Sequence, residues 1–233
     1  MDLGSFASIR AAAARFVATS DRLDVLVNNA GQAGARGLTV EGFEPAFGIN
    51  HLGPFLFTRL LEPLLRASAP SRVVNVASRA HKRVSGVDFA AVRKPPRTPT
   101  AFPEYSVSKL CNVLFTREAA RRWADAGICV VSLHPGVVAS EIWRRVPGPA
   151  RWVMKRFMLT VEEGARTSIF CATDPGVAAQ SGAYFDREKV VAPSAVAQDD
   201  ALALRLWDES ERFCGDALAP LGGELRATQG EGR

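Results

Sequence analysis

At 233 residues, 47% of them hydrophobic, the chain can build one substantial core and falls near the upper range of a single α/β domain. Its 29 basic and 24 acidic residues leave a net charge of +5 spread along the sequence without a long basic run, which argues against a nucleic-acid tract while suiting a phosphate-bearing small ligand. No apolar stretch reaches the ~18 residues that cross a bilayer. The four cysteines (Cys111, Cys129, Cys171, Cys214) have neither zinc nor disulfide spacing, so a cytoplasmic protein with reduced thiols is expected.

In chain order, Phe6, Ile9, Ala13 and Phe16 recur at helical spacing, predicting an amphipathic helix over about residues 4–17 capped by Gly4 or Ser5. Asp24-Val25-Leu26-Val27-Asn28-Asn29-Ala30-Gly31 is a short apolar run ending in a polar loop, the pattern of a buried parallel strand. A helical stretch over about 40–67 leads to a second such strand at 72–78. Another helical stretch, about 103–126, leads to a third strand at 128–134. This alternation predicts an α/β fold with a doubly wound, Rossmann-like parallel sheet. Residues 80–102, with their prolines and weak periodicity, read as an inserted loop. The basic, aromatic stretch 143–157 fits either a lid over a substrate or contact with a membrane surface. Thr160 with Glu163 forms a capping-box signature. A short strand near 182–185 and a helix over about 199–214 follow, and the polar, glycine-rich residues from about 218 to 233 read as a disordered tail.

Tyr105 and Lys109 are four residues apart at the start of a predicted helix, so both side chains project from one face. A phenol is a poor base at neutral pH, and a neighbouring cation favours its ionised form. Ser78 closes the second strand and places a hydroxyl at the carboxyl edge of the sheet, where open α/β sheets bind ligands. Asn50 lies within a helical stretch that it suits poorly, which signals either a local cap or kink or a specific task. His51, His81 and His134 read as packing or turn residues, and Cys111 as helix packing.

Asn28-Asn29-Ala30-Gly31, Asn50, Ser78, Tyr105-x-x-x-Lys109 and His134-Pro135-Gly136 occur in the order seen in the short-chain dehydrogenases/reductases, and the sequence resembles that family over about residues 2–215. Finer features, including Ile49-Asn50-His51-Leu52-Gly53-Pro54-Phe55 and the run from Arg72 to His81, resemble its retinol dehydrogenase-like branch. The resemblance implies an oxidoreductase that uses NADP or NAD, with NADP favoured, on the carbonyl or alcohol of a small apolar molecule such as a retinoid, steroid or lipid. It implies Tyr105 as general acid/base, Lys109 lowering its pKa and holding the nicotinamide ribose, and Ser78 polarising the carbonyl. Asn50 would complete a proton relay through its main-chain carbonyl and a water. Asn28, Ala30 and Gly31 would line the adenosine-side ribose, Asp2 and Leu3 the adenine, and Pro135, Gly136, Val138 and Ser140 the nicotinamide end. No metal is called for. Peripheral membrane contact is a further expectation from the composition of 143–157, and a homodimer on the helices around Asn50 and Tyr105 is one from the resemblance.

The family's Gly-x-x-x-Gly-x-Gly turn, whose backbone amides hold a pyrophosphate, has no match before Asn28. Gly31, Gly34 and Gly37 follow the first strand and occupy a different place in the pattern. The chain therefore reads as one incomplete domain over 1–233, as if about 60–70 residues of an ordinary domain were missing from its start. The strand at 25–29 is then expected to form an apolar edge open to pairing or aggregation. The alternative reading is a non-catalytic fragment or interaction protein without a cofactor cradle.

Overall fold

The computed structural model describes residues 1–136 and 160–221. Four strands run parallel in the order β1 (Val25–Asn28), β2 (Ser71–Val76), β3 (Ile128–His134) and β4 (Tyr184–Asp186), and β5 (Lys189–Val190) pairs antiparallel with β4. In register, Val27 lies beside Val74 and Val74 beside Val131.

Because successive strand residues face opposite sides, the sheet builds two cores. Leu26, Val73, Ile128, Val130 and Tyr184 face the larger one. It is covered by α1 (Phe6–Thr19), α3 (Gly53–Ala67), α4 (Phe102–Arg122) and α6 (Asp200–Cys214). Val74, Val76, Cys129, Val131, Leu133 and Phe185 face the other, covered by α5 (Val161–Thr173) through Phe170 and Cys171. Helices on both faces of a mostly parallel sheet make the doubly wound architecture. On the α5 side, Val25 and Val27 of β1 remain 37% and 40% exposed.

Local chemistry sets the helix ends. Ser5 caps α1 by accepting the Ser8 amide, and Thr160 and Glu163 complete the capping box of α5. The helix expected from residue 40 begins at Pro45. A turn over 39–43, in which the Phe43 amide donates to Thr39 Oγ1 and the Thr39 amide to the Phe43 carbonyl, delays it, and Glu44 caps the start. From α2 (Pro45–Phe47) the chain passes through a π-helical turn, Gly48–Leu52, into α3. π-turns inside helices are frequent at functional sites. Gly53 lets the backbone before α1 approach α3, since a Cβ there would lie 2.6 Å from the Leu3 carbonyl oxygen. α4 stops at Arg122, short of residue 126, and a 3-10 turn (Ala124–Ala126) follows before Gly127 takes φ +67°.

All four cysteines are buried and unpaired. Among the described residues no helix is long and apolar enough to cross a membrane, and no cluster of His, Cys, Asp or Glu could hold a metal. The stretch 143–157 and the tail beyond 221 lie outside the described residues.

Candidate active site

The parallel strands bring Asn28, Ser78 and His134 to one edge of the sheet, each at or just past the carboxyl end of its strand. Ser78 caps the 3-10 turn Arg79–Arg83, its Oγ accepting the Ala80 amide at 3.2 Å. Across from it runs the first part of α4. Tyr105 and Lys109 are 9% and 4% exposed. Lys109 Nζ donates to the carbonyl oxygen of Val76 at 2.8 Å, and the Tyr105 phenol lies near enough to the Ser78 side chain to be influenced by it. Two strand residues advance about 6.6 Å and four helix residues about 6 Å, so strand positions 76 and 78 match helix positions 109 and 105. This spatial match turns a sequence spacing into a site.

Burial pushes the Tyr105 phenol above its ordinary value, and the Ser78 side chain pulls it partly back. Burial also lowers Lys109 to about 8. The ammonium lies 5.6 Å from the Tyr105 ring centre. At neutral pH the pair is a protonated phenol beside a desolvated ammonium, an arrangement suited to donating a proton and to polarising a neighbouring oxygen.

Asn50, 1% exposed, sits in the π-turn. Its Oδ1 accepts the Gln32 amide at 2.8 Å. Its Nδ2 donates to the Gln32 carbonyl at 2.9 Å and to Ser108 Oγ at 3.0 Å, and Ser108 donates in turn to the Tyr105 carbonyl. Asn50 thereby ties the loop after β1 to α4. Gly31 lies in the same place, since a Cβ built on it would be 3.0 Å from Asn50 Oδ1 and 3.7 Å from Lys109 Nζ. A side chain at Gly31 would fill space beside the ammonium that a ligand hydroxyl group can use. Lys109 Nζ has two N–H bonds beyond the one given to Val76, so the residues present fit the ribose of a nicotinamide nucleotide.

Asn28 serves the sheet in this arrangement. Its Nδ2 donates to Thr58 Oγ1 and Asn75 Oδ1, and Asn75 donates to Thr116 Oγ1 of α4. Asp2 accepts the Gly4 amide through Oδ1 in the turn before α1, and Leu3 packs on the larger core. Neither is brought into contact with Tyr105. Pro135 and Gly136 line a cavity of about 430 Å³ past β3 and β4, whose other walls include His134, Arg166 and the Arg79–Asp186 ion pair (2.6 Å). Burial takes His134 down to about 4. Val138 and Ser140 lie outside the described residues.

Gln32, Ser108 and Asn112 were not singled out in the sequence. Asn112 Nδ2 is 3.3 Å from the Val76 carbonyl that Lys109 also uses. Ser108 and Asn112 stand three and seven residues after Tyr105 on one helical face, a spacing that could have flagged them. Gln32 meets Asn50 only through the fold.

A family model for short chain dehydrogenases matches residues 1–148. Human retinol dehydrogenase 13 is 41% identical over 228 residues, covering 92% of this chain and 67% of that protein. Human dehydrogenase/reductase SDR family member 13 is 41% identical over 224 residues, with 92% and 58% covered. Human retinol dehydrogenase 14 is also 41% identical over 224 residues, with 92% and 66% covered. The chain thus spans from 58% to 67% of the length of these curated relatives. Among solved structures, an uncharacterised protein from Mycobacterium paratuberculosis superposes with a TM-score of 0.69 at 30% identity, covering 91% of this chain and 73% of that one. The Pseudomonas aeruginosa RhlG/NADP active-site complex superposes with a TM-score of 0.62 at 29% identity, covering 79% and 72%.

Proposed function

The chain belongs to the short-chain dehydrogenase family, and from that membership we propose that Ser78, Tyr105 and Lys109 interconvert a carbonyl and an alcohol on a small apolar molecule with NADP or NAD. The observation that carries this reading is the buried Tyr105–Lys109 pair on α4, the ammonium 5.6 Å from the phenol ring and anchored to the Val76 carbonyl two residues before Ser78. When bound, the nicotinamide supplies a hydride to the carbonyl carbon or takes one from the alcohol. Ser78 holds the carbonyl oxygen and Tyr105, kept protonated by burial, gives it a proton. In the oxidative direction Tyr105 would have to lose its own proton first, and only as the phenolate would it take the alcohol's proton.

Lys109 and Tyr105 hold the nicotinamide ribose, with Gly31 leaving room beside them. Asn28 and Ala30 are assigned to the adenosine-side ribose, Asp2 and Leu3 to the adenine, and Pro135 and Gly136 to the nicotinamide end. The side chain of Asn50 is fully bonded, so any part it takes in proton transfer falls to its main-chain carbonyl. A retinol-like substrate follows from the names of the relatives. NADP is favoured, as in the RhlG complex.

A second reading is a chain that keeps these residues without turnover, since no Gly-x-x-x-Gly-x-Gly turn stands among the residues before Asn28. Titration of the 233-residue protein with NADPH and NADH, followed by nucleotide fluorescence, separates the two. The oxidoreductase reading predicts saturable binding on the order of micromolar, weakened in Lys109→Met. No saturable binding of either nucleotide would favour the second reading.

A further inference from the structure

His81 stands three residues past Ser78 in the turn Arg79–Arg83, and its ring is completely buried. Nδ1 lies 2.6 Å from the carbonyl oxygen of Ser78. A carbonyl can only accept, so Nδ1 carries the hydrogen. In the neutral ring Nε2 then has a lone pair, and it accepts the Ser194 amide at 3.1 Å. The two contacts demand the same tautomer. The ring also meets the Tyr184 ring edge-on at 4.9 Å. On the Ser78 side, the His81 amide gives a second hydrogen bond to the same carbonyl at 3.2 Å. On the other side, segment 191–199 is tied to the sheet by the Val191 amide on the Tyr184 carbonyl, and to the turn by Lys82 Nζ on the Ala192 carbonyl at 3.3 Å. No other side chain among the described residues bonds both the Ser78 backbone and this segment.

We infer that His81 is a positioning residue: its neutral imidazole fixes the backbone of Ser78, and with it the hydroxyl that faces Tyr105, while pinning segment 191–199 against the active-site turn. The inference rests on the oxidoreductase reading for its catalytic consequence, but the brace itself does not. Burial, the chief cause, holds the His81 pKa below its ordinary value, so the neutral form persists through physiological pH. A phenyl ring at 81 keeps the packing on Tyr184 and removes both hydrogen bonds. An asparagine reaches only the Nδ1 position, so it keeps the Ser78 bond and loses the Ser194 bond.

Three readouts on the full chain test this. The imidazole ¹⁵N shifts of the unsubstituted protein are expected to show a protonated Nδ1 and a bare Nε2 at pH 7; the opposite tautomer would overturn the brace. Amide exchange at Ser194 is expected to rise about fivefold or more in both His81→Phe and His81→Asn, with β3 amides unchanged; unchanged Ser194 exchange would overturn it equally. With retinal and NADPH, His81→Phe is expected to lower kcat about 10- to 100-fold at a nearly constant nucleotide Kd, and His81→Asn to recover most of that loss. Full kcat in His81→Phe would overturn the positioning role. An unsubstituted chain that shows the predicted tautomer and exchange without turnover would refute the oxidoreductase reading and leave the brace intact.

Discussion

Lys109 carries a charge where the fold makes charge costly. Burial lowers its pKa from 10.5 to about 8, so between those values the unfolded chain holds a proton that the folded chain releases. Folding stability therefore falls as pH drops from about 10.5 to 8, and the penalty persists in full at neutral pH. Lys109→Met removes that penalty, and the Val76 carbonyl keeps Asn112 as a donor. At pH 7 the variant is expected to melt at or above the Tm of the unsubstituted protein while cofactor-dependent turnover falls about 100-fold or more. Thermal unfolding beside a turnover assay checks both, and a marked drop in Tm would mean that the lysine serves the fold. Lys109 and Tyr105 were legible in the sequence because a single helix sets their spacing. The Val76 carbonyl and the Ser78 hydroxyl that meet them were legible only in part. Ser78 is named by its place at a strand end, but a backbone carbonyl has no signature in the sequence. His81 was read as a packing or turn residue, and nothing near it in sequence announces Ser194, 113 residues away.

At the scale of elements, the turn from α2 into α3 depends on Glu44. It is 3% exposed, and its two carboxylate oxygens accept the amides of Ala46 (2.8 Å) and Phe47 (2.7 Å). Burial raises its pKa, and the two amide bonds work against that rise. Glu44→Ala would leave two buried amides without acceptors, for a loss of about 1–3 kcal/mol in urea unfolding. Turnover is expected to fall as well, because Asn50 stands on the π-turn that this cap starts. Loss of stability with turnover per folded molecule intact would show that the cap does not position Asn50. The helix here was legible from its periodicity, but its start and its π-turn were not. Both depend on which groups satisfy the first amides, and a delayed start with a buried glutamate cap leaves little trace in hydrophobic spacing. By contrast, Thr160 and Glu163 announce their capping box directly, because all its partners lie within one turn.

For the whole molecule, three buried histidines give the fold a common sensitivity to acid. Burial takes His51 to about 3, lowers His81, and takes His134 to about 4. Each is neutral when folded and titrates near 6.5 when unfolded, so the stability they support is complete above about pH 6.5 and is lost as pH falls toward 4. His51 contributes at most about 1.4 kcal/mol per pH unit in that range. Its ring packs against Phe47, Phe55 and Phe115, a setting that accepts another phenyl ring. The Ser210 hydroxyl that bonds it also donates to the Leu206 carbonyl. His51→Phe is expected to flatten the fall of unfolding free energy between pH 6.5 and 4.5, measured by urea denaturation at several pH values. An unchanged slope would remove His51 from the acid response. The overall architecture was the most legible feature, since alternating strand and helix patterns leave few topologies. β1 is an end strand of the described sheet, and its Val25 and Val27 are exposed on the α5 side.

The proposed carbonyl–alcohol interconversion with a nicotinamide cofactor stands or falls on Tyr105 passing the proton. The most direct measurement compares NADPH oxidation in the presence of retinal by the unsubstituted chain and by Tyr105→Phe, with Tm recorded for both. Turnover by the unsubstituted chain is expected, with a loss of about 100-fold or more in the variant at a closely similar Tm. Equal turnover by the two proteins, or none by the unsubstituted chain, would contradict it.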